Sequence, residues 1–280
     1  MVVVLWRSGS HVLFRTMAAS PPAAVLRAFE VSGTPSPLIG GEGHSWTCGG
    51  FVFKPCSDPV EWMWLGERLP SVVQDGFRLA LPARAADGRW LVDGWSAQPF
   101  LEGVHPDNGR WLDVLTVSER FHRAASVLVR PEFIDRRTHP WSIGDRVAWG
   151  EAESPAAHPF LDRLLHILRP VNLSSQVIHG DLTENVLFAD SLEPAVIDVT
   201  PYWRPPGFAP AVVVADAVCW HEADPDTLLP ATSAIAEFPQ LLVRAAIYRL
   251  ATALVFGESE LDAYARVIRL AERLVARGVA

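Results

Sequence analysis

Lysine is almost absent from this sequence. Lys54 is the single lysine among 24 basic residues, so arginine supplies the other 23 (24 − 1). Arginine therefore serves wherever a positive surface charge is enough, and a lone lysine suggests a task that needs a compact ammonium group rather than a planar guanidinium. Chance in an arginine-rich chain is the alternative explanation.

Cysteine is also scarce, and long apolar runs are missing. Cys48, Cys56 and Cys219 cannot all pair, and none has metal-ligand spacing, so we expect reduced thiols and a cytoplasmic protein. No run reaches the roughly 18 apolar residues of a membrane span, and arginines interrupt the first apolar stretch, unlike a signal peptide. A net charge of −8 argues against a nucleic-acid partner. We therefore expect neither a membrane nor a nucleic-acid partner; the sequence leaves oligomeric state open.

The first part of the chain has the pattern of a small sheet with one helix. The segment "SPLIGGEGHSWTCGGFVFKP" predicts a strand, a glycine-rich turn and a second strand that ends at Lys54. Asp58 and Pro59 are typical of a helix start, and Glu61 follows on that helix. "FRLALPARA" and "GRWLVDGWSA" predict a hairpin around Asp87-Gly88. Because Met17 opens a second possible start, we count this N-terminal lobe as 17–98.

The rest of the chain, 99–280, is mainly helical. Apolar residues at helical spacing between Val114 and Leu128 predict one helix, and residues 158–168 predict another. Three short strands interrupt the helices: "QVI", "VLF" and "PAVID". The predicted fold class is thus α+β, with a small sheet lobe followed by a larger helical lobe.

The polar segment between the first two of these strands, "HGDLTEN", is the strongest functional signal. It places Asp181 four residues before Asn185, and Asp198 follows 17 residues (198 − 181) after Asp181. Phosphoryl transfer from ATP needs a backbone cradle and a point positive charge for the phosphates, oxygen ligands for Mg²⁺, and a carboxylate for the accepting hydroxyl. The glycine-rich turn, Lys54, Asn185, Asp198 and Asp181 supply these groups.

In "HGDLTENVLF", "VID", "GGEGHSW" and "VFK" the chain resembles the aminoglycoside-phosphotransferase-like branch of the protein-kinase superfamily. The resemblance covers about residues 36–220 and implies the two-lobed kinase-like fold, ATP and Mg²⁺ as cofactors, and a small-molecule hydroxyl as acceptor. "DVTPYWRPP" is similar to an actinobacterial subgroup that carries Tyr-Trp-Arg-Pro after the metal aspartate.

The resemblance also implies a role for each matching residue. Asp181 would be the catalytic base, Asn185 and Asp198 would bind Mg²⁺, and Lys54 would contact the phosphates while paired with Glu61, with Glu67 as the rival partner. His179 is expected to be a core histidine bonded to backbone carbonyls, and Asp216 to brace the catalytic loop. The remaining nucleotide contacts are assigned to the glycine-rich turn and to a hinge beginning at Ser96, namely Gly40, Gly41, Gly43, Ser96, Ala97 and Gln98.

Departures from the protein-kinase pattern favour a small acceptor. Val199 and Thr200 follow the metal aspartate where protein kinases have Phe-Gly, and only 18 residues (216 − 198) separate Asp198 from Asp216. The segment "PYWRPP" has two interpretations, an acceptor-binding wall or a rigid internal segment.

Two other functions stay open at this stage. The weak glycine loop suggests a nucleotide-binding pseudokinase that acts as a regulatory or interaction module, although the intact set of Lys54, Asp181, Asn185 and Asp198 argues against it. A metal-dependent hydrolase would use Asp181 and Asp198 but lacks the histidine ligands such sites generally need.

Overall fold

The structure is a computed structural model that describes residues 3–8, 11–16, 19–38, 43–106 and 109–278. The N-terminal region consists mainly of short strands with two helices. Its elements are β1 (Val3–Ser8), β2 (His11–Thr16), α1 (Ala23–Ala28), β3 (Ser36–Pro37), β4 (Trp46–Cys48), β5 (Phe51–Pro55), α2 (Pro59–Arg68), β6 (Arg78–Leu79) and β7 (Trp95–Pro99).

The C-terminal region is mainly helical, with four short strands in its middle. Its elements are α3 (Trp111–Ala125), α4 (Pro140–Ala148), α5 (Pro159–Ile167), β8 (Gln176–His179), β9 (Val186–Ala189), β10 (Leu192–Val196), β11 (Pro201–Arg204), α6 (Phe208–Trp220), α7 (Pro225–Thr232), α8 (Phe238–Phe256) and α9 (Tyr264–Gly278). This succession confirms the predicted α+β class.

The N-terminal sheet has the strand order β3-β4-β5-β7, and all neighbours are antiparallel. A tight turn at Gly49-Gly50 joins β4 to β5, with φ of +54° and +82°. Both angles lie in the left-handed region that favours glycine, and a Cβ on Gly49 would also lie 2.6 Å from Cγ1 of Val31. The turn sends β5 back along β4, so that Lys54 lies near the far end of the strand.

The hairpin predicted around Asp87-Gly88 is wrong. β6 pairs in parallel with β10 of the C-terminal region, and β7 pairs with β5. Pro82, which has no N–H to donate to a ladder, follows β6 closely. Asp87 and Gly88 do form a turn, in which the N–H of Gly88 donates to the carbonyl of Ala85 at 2.8 Å. The predicted turn at Asp87-Gly88 is thus present, but the segments on either side of it pair with other strands.

The hydrophobic residues form two clusters. The smaller one lies in the N-terminal region around Phe53, Val25 and Ala97. The larger one fills the helical region and also includes Leu65 and Leu69 of α2 and its following turn. Helix α2 therefore packs on the C-terminal core, and the boundary at residue 98 stays a prediction.

Helix α8 is the centre of the larger core. With 19 residues it is long enough, and on average apolar enough, to cross a membrane, the one such helix among the described residues, yet an 18-residue stretch of it is 83% buried inside the protein. It packs against α4, α6 and α9. Two arginines, Arg244 and Arg249, are buried within it, and such charges need partners inside the protein.

Candidate active site

The polar loop between β8 and β9 is held from within by His179. This side chain is fully buried. Its Nδ1 accepts a hydrogen bond from the N–H of Asp181 at 3.2 Å, so its Nε2 carries the proton and donates to the carbonyl of Ile197 at 3.1 Å. The expectation of a core histidine is confirmed. His179 thereby ties the start of the loop to the segment that leads to Asp198.

Asn185 closes the loop at its other end. Its Nδ2 donates to the backbone carbonyl of Asp181 at 2.7 Å, and its own backbone carbonyl accepts from the N–H of Ile197 at 3.0 Å. With the side-chain nitrogen turned into the loop, the side-chain oxygen remains to serve a ligand. The residues from Asp181 to Asn185 thus form one closed turn between β8 and β9.

Lys54 and Asp198 meet across 144 residues of sequence. The Lys54 Nζ lies 2.5 Å from Oδ2 of Asp198, and Nε2 of Gln98 donates to Oδ1 at 3.4 Å. Asp198 has a φ of +50°, an uncommon backbone conformation that aspartate tolerates better than most residues. The single lysine of the chain therefore lies at the predicted metal aspartate.

The charge of Lys54 matters for the ionisation of Asp198. Burial alone would raise the pKa of this carboxyl group, but the ammonium of Lys54 and the hydrogen bonds from Lys54 and Gln98 outweigh it and lower the pKa below its usual value. Asp198 is therefore an anion at neutral pH, as a cation ligand must be.

The expected pairing of Lys54 with Glu61 needs correction. Oε2 of Glu61 lies 2.7 Å from Nη2 of Arg137, a residue between α3 and α4, and Lys54 pairs with Asp198 instead. The side chain of Arg137 is only 2% exposed. A buried guanidinium needs a carboxylate partner more strongly than the partly exposed Lys54 does. Glu67, the rival, is exposed on the outer side of α2.

The predicted nucleotide contacts are only partly within the described residues. Gly40 and Gly41 lie outside them, and Gly43 is described with a φ of +73°. Ser96, Ala97 and Gln98 are buried on β7. The carbonyl of Ala97 already accepts from the N–H of Ala83 at 2.8 Å, and Oγ of Ser96 donates to the carbonyl of Lys54 at 3.1 Å. Their contact with adenine stays a prediction.

The donor set suits magnesium. Carboxylate and amide oxygens are hard ligands, and Mg²⁺ in phosphoryl-transfer sites uses one or two carboxylates together with substrate phosphates and water. Asp198 is ionised, and Asn185 has its side-chain oxygen available. Among the described residues no group of three or more His, Cys, Asp and Glu side chains is gathered as a metal site. A site completed by phosphates does not require one.

A cleft opens beside Asp181, between the polar loop and the helices α6 and α8. Water-sized molecules can occupy about 130 Å³ of it, and it is partly open to solvent. The side chain of Asp181 is 44% exposed. Carboxylates and aromatic rings share the lining, among them Asp181, Glu184, Glu258, Trp141, Trp220 and Phe256.

Asp216 braces the loop from below, as the sequence predicted. It is 1% exposed and accepts from Oγ1 of Thr183 at 2.5 Å. Arg249 also binds Asp216, with Nε to Oδ1 at 2.8 Å and Nη2 to Oδ2 at 2.5 Å, and it reaches Oδ1 of Asp181 at 2.7 Å. The sequence does not predict a role for Arg249, because nothing in the apolar segment around it indicates a site.

The "PYWRPP" segment contains a partly buried strand, and its residues are not among those that line the cleft beside Asp181. Its strand β11 pairs with β8. Tyr202 is buried, and its hydroxyl lies 3.4 Å from that of Tyr248. Arg204 pairs with Asp145 and Glu151 at 2.7 and 2.6 Å.

Comparisons with known proteins support the fold and leave the family open. No family model matches the sequence, and no curated protein matches it. Solved structures of similar fold include a microcompartment-associated aminopropanol kinase (TM-score 0.61, 16% identity, 90% of this chain and 94% of that chain). A spectinomycin phosphotransferase in complex with ADP and spectinomycin has a TM-score of 0.57 at 12% identity, over 89% of this chain and 95% of that chain.

An aminoglycoside phosphotransferase from Alicyclobacillus acidocaldarius is similar over 97% of this chain and 100% of its own, with a TM-score of 0.58 and 15% identity. At these identities the likeness shows the fold alone. The chain thus has the fold of small-molecule phosphotransferases.

Proposed function

We propose that this protein transfers a phosphoryl group from ATP, with Mg²⁺, to a hydroxyl group of a small molecule. One observation supports this most strongly: the single lysine, on β5 of the N-terminal sheet, lies 2.5 Å from Asp198 beyond β10. A point positive charge next to an ionised carboxylate is what polyphosphate and its metal require.

Each of the four central residues has a distinct task in this proposal. Lys54 moves from Asp198 to the nucleotide phosphates, while Asp198 and Asn185 hold the metal. Mg²⁺, when bound, neutralises charge on the phosphates. Asp181, exposed in the cleft, accepts the proton of the attacking hydroxyl, a step worth about 10²- to 10⁴-fold in rate. The remaining acceleration comes from positioning and from fixed charges.

Several finer assignments belong to the same proposal. Gly40, Gly41, Gly43 and the β7 residues Ser96, Ala97 and Gln98 would surround the nucleotide. The lobes 17–98 and 99–280, the cytoplasmic location and the link to the actinobacterial subgroup remain predictions. The acceptor would enter the cleft beside Asp181, and the neighbours named above, which include an aminopropanol kinase and a structure with spectinomycin, suggest hydroxyl compounds for a first screen.

Calorimetric titration of ATP, with and without Mg²⁺, tests the nucleotide site. We expect Mg²⁺-dependent binding by the wild type, loss of that binding in Asp198→Ala, and no loss in the control Asp190→Ala, which removes an exposed carboxylate eight residues earlier (198 − 190). Absence of nucleotide binding by the wild type would contradict the proposal. A protein that binds MgATP but never releases ADP, and behaves identically as Asp181→Asn, would be the pseudokinase instead.

A further inference from the structure

Arg249 forms an unusual bridge between two carboxylates. Its guanidinium binds Asp216 through two nitrogens, at 2.8 and 2.5 Å, and contacts Asp181 through Nη2 at 2.7 Å. Asp216 and Arg249 are both buried, whereas the side chain of Asp181 is 44% exposed. The buried carboxylate alone is enough to neutralise Arg249, so the contact with Asp181 requires a separate explanation.

Solvation does not supply that explanation. The carboxylate of Asp181 faces an open cleft, where water can solvate it without Arg249. The contact with Arg249 instead restricts rotation of the Asp181 carboxylate. Because the two bonds to Asp216 fix the plane of the guanidinium, the direction of the third bond is fixed as well. A lysine in this place has one nitrogen and cannot hold both carboxylates in this geometry.

The bridge also closes on the polar loop itself. Thr183, two residues after Asp181, donates to the same Oδ2 of Asp216 that Nη2 of Arg249 binds. The polar loop, α6 and α8 are thereby joined by one ring of hydrogen bonds. The Oδ1 of Asp181 is held inside this ring, which leaves Oδ2 to accept a proton from a hydroxyl in the cleft.

We propose that Arg249 is a positioning residue for the catalytic base: it fixes the carboxylate of Asp181 so that Oδ2 meets the acceptor hydroxyl. This inference rests on the proposed function. It assigns Arg249 no contact with the nucleotide. Its loss therefore lowers kcat and leaves the KM for MgATP unchanged.

A double-mutant cycle tests the proposal with MgATP as substrate and water as acceptor, by the rate of ADP release. We expect Arg249→Lys to lower kcat by about 10- to 100-fold, since a misplacement of about 1 Å costs up to about that much. In the Asp181→Asn background, where no base remains to be positioned, the same change alters kcat by less than about twofold. Equal losses in both backgrounds would overturn the proposal and leave Arg249 a purely structural role.

Arg244→Lys is the matched control. Arg244 lies on the same helix, is similarly buried and donates to the carbonyl of Arg169 at 3.0 Å rather than to the loop. We expect it to change kcat by less than about twofold in both backgrounds. If Arg249→Lys does not fold, Asp216→Asn replaces it in the same cycle, because it weakens the anchor of Arg249 at nearly constant side-chain volume. We expect the same loss of kcat where Asp181 is present and no such loss in Asp181→Asn.

Calorimetry on each variant separates this proposal from the proposed function. MgATP binding that persists in all variants, with additive losses of kcat, refutes the positioning role and leaves the phosphotransferase intact. No MgATP binding or no ADP release by the wild type refutes the phosphotransferase, and the role of Arg249 with it.

Discussion

At Gly180 the ring of Tyr202 occupies the space where a side chain would begin. A Cβ on Gly180 would overlap Cδ2 and Cε2 of that ring. Tyr202 cannot easily move away, because it is 3% exposed and packs against Tyr248, with the ring centroids 6.0 Å apart. The glycine of "HGD" is therefore required for space, and through it the rigid strand β11 supports the loop that carries Asp181.

We predict that Gly180→Ala destabilises the protein by about 1 to 3 kcal/mol, the usual result of overpacking a tight core. In thermal unfolding each kcal/mol lowers Tm by about 2 to 4 °C for a protein of this size class. The control is Gly278→Ala on α9, where an added Cβ meets nothing within 4 Å. A Gly180→Ala variant as stable as the wild type would mean that the Tyr202 ring moves aside, contrary to its close packing against Tyr248.

Helix α2 is fixed by a contact to the other region of the molecule. Arg137 binds Glu61 of α2 and also donates from Nη1 to the carbonyl of Pro201 at 2.6 Å. It thus joins α2 to strand β11. Burial raises the pKa of Glu61, and the charge of Arg137 only partly opposes that rise. A buried ion pair of this kind contributes little net stability, but removing one partner destabilises the protein because the other charge stays buried without a partner.

We predict that Glu61→Gln lowers the free energy of unfolding by about 3 kcal/mol, because Arg137 then stays buried without a carboxylate. Urea denaturation measures this, and Glu67→Gln, on the exposed side of the same helix, is the control with no expected effect. MgATP affinity of Glu61→Gln should stay within about twofold of wild type, since no Lys54 contact is lost. A tenfold weaker affinity would instead support the Lys54–Glu61 pairing that the sequence suggested.

The same helix shows what a sequence can and cannot predict. Asp58 caps α2 by accepting from the N–H groups of Val60 and Glu61, both at 3.0 Å, as its position before Pro59 indicates. Such signals are local. The partner of Glu61 lies 76 residues away (137 − 61), in a stretch without a motif, so only the folded chain reveals it. Arg249 is missed for the same reason, whereas Lys54 was found because its rarity is itself visible in the sequence.

Across the whole molecule, two neutral histidines connect α3 to the polar loop. The backbone N–H of His179 donates to Nε2 of His122 at 3.1 Å, and Nδ1 of His122 donates to the backbone carbonyl of Ser118 at 2.7 Å. Both rings are buried and each has one nitrogen committed as an acceptor. Protonation of either ring would break one of these hydrogen bonds and place a charge in the core.

These histidines make stability depend on pH in a predictable direction. Burial lowers the pKa of His122 from 6.5 to about 3, and it lowers the pKa of His179 as well. As pH falls below about 6.5, the unfolded chain binds these protons and the folded protein does not, so protonation favours unfolding. The contribution of the two neutral histidines to the free energy of unfolding is fully present above about pH 6.5 and is lost progressively below it.

We predict that His122→Gln weakens this dependence. With the pKa values above, His122 alone removes about 2 kcal/mol of stability between pH 7 and pH 5. Buried carboxyls with raised pKa, such as Asp216, act in the opposite direction, so the difference between variant and wild type is the quantity to measure. Urea denaturation at several pH values should give a smaller loss on acidification for His122→Gln and an unchanged loss for His166→Gln, whose side chain is exposed on α5. Identical pH profiles for all three proteins would show that His122 is protonated in the fold, which its acceptor role towards His179 does not allow.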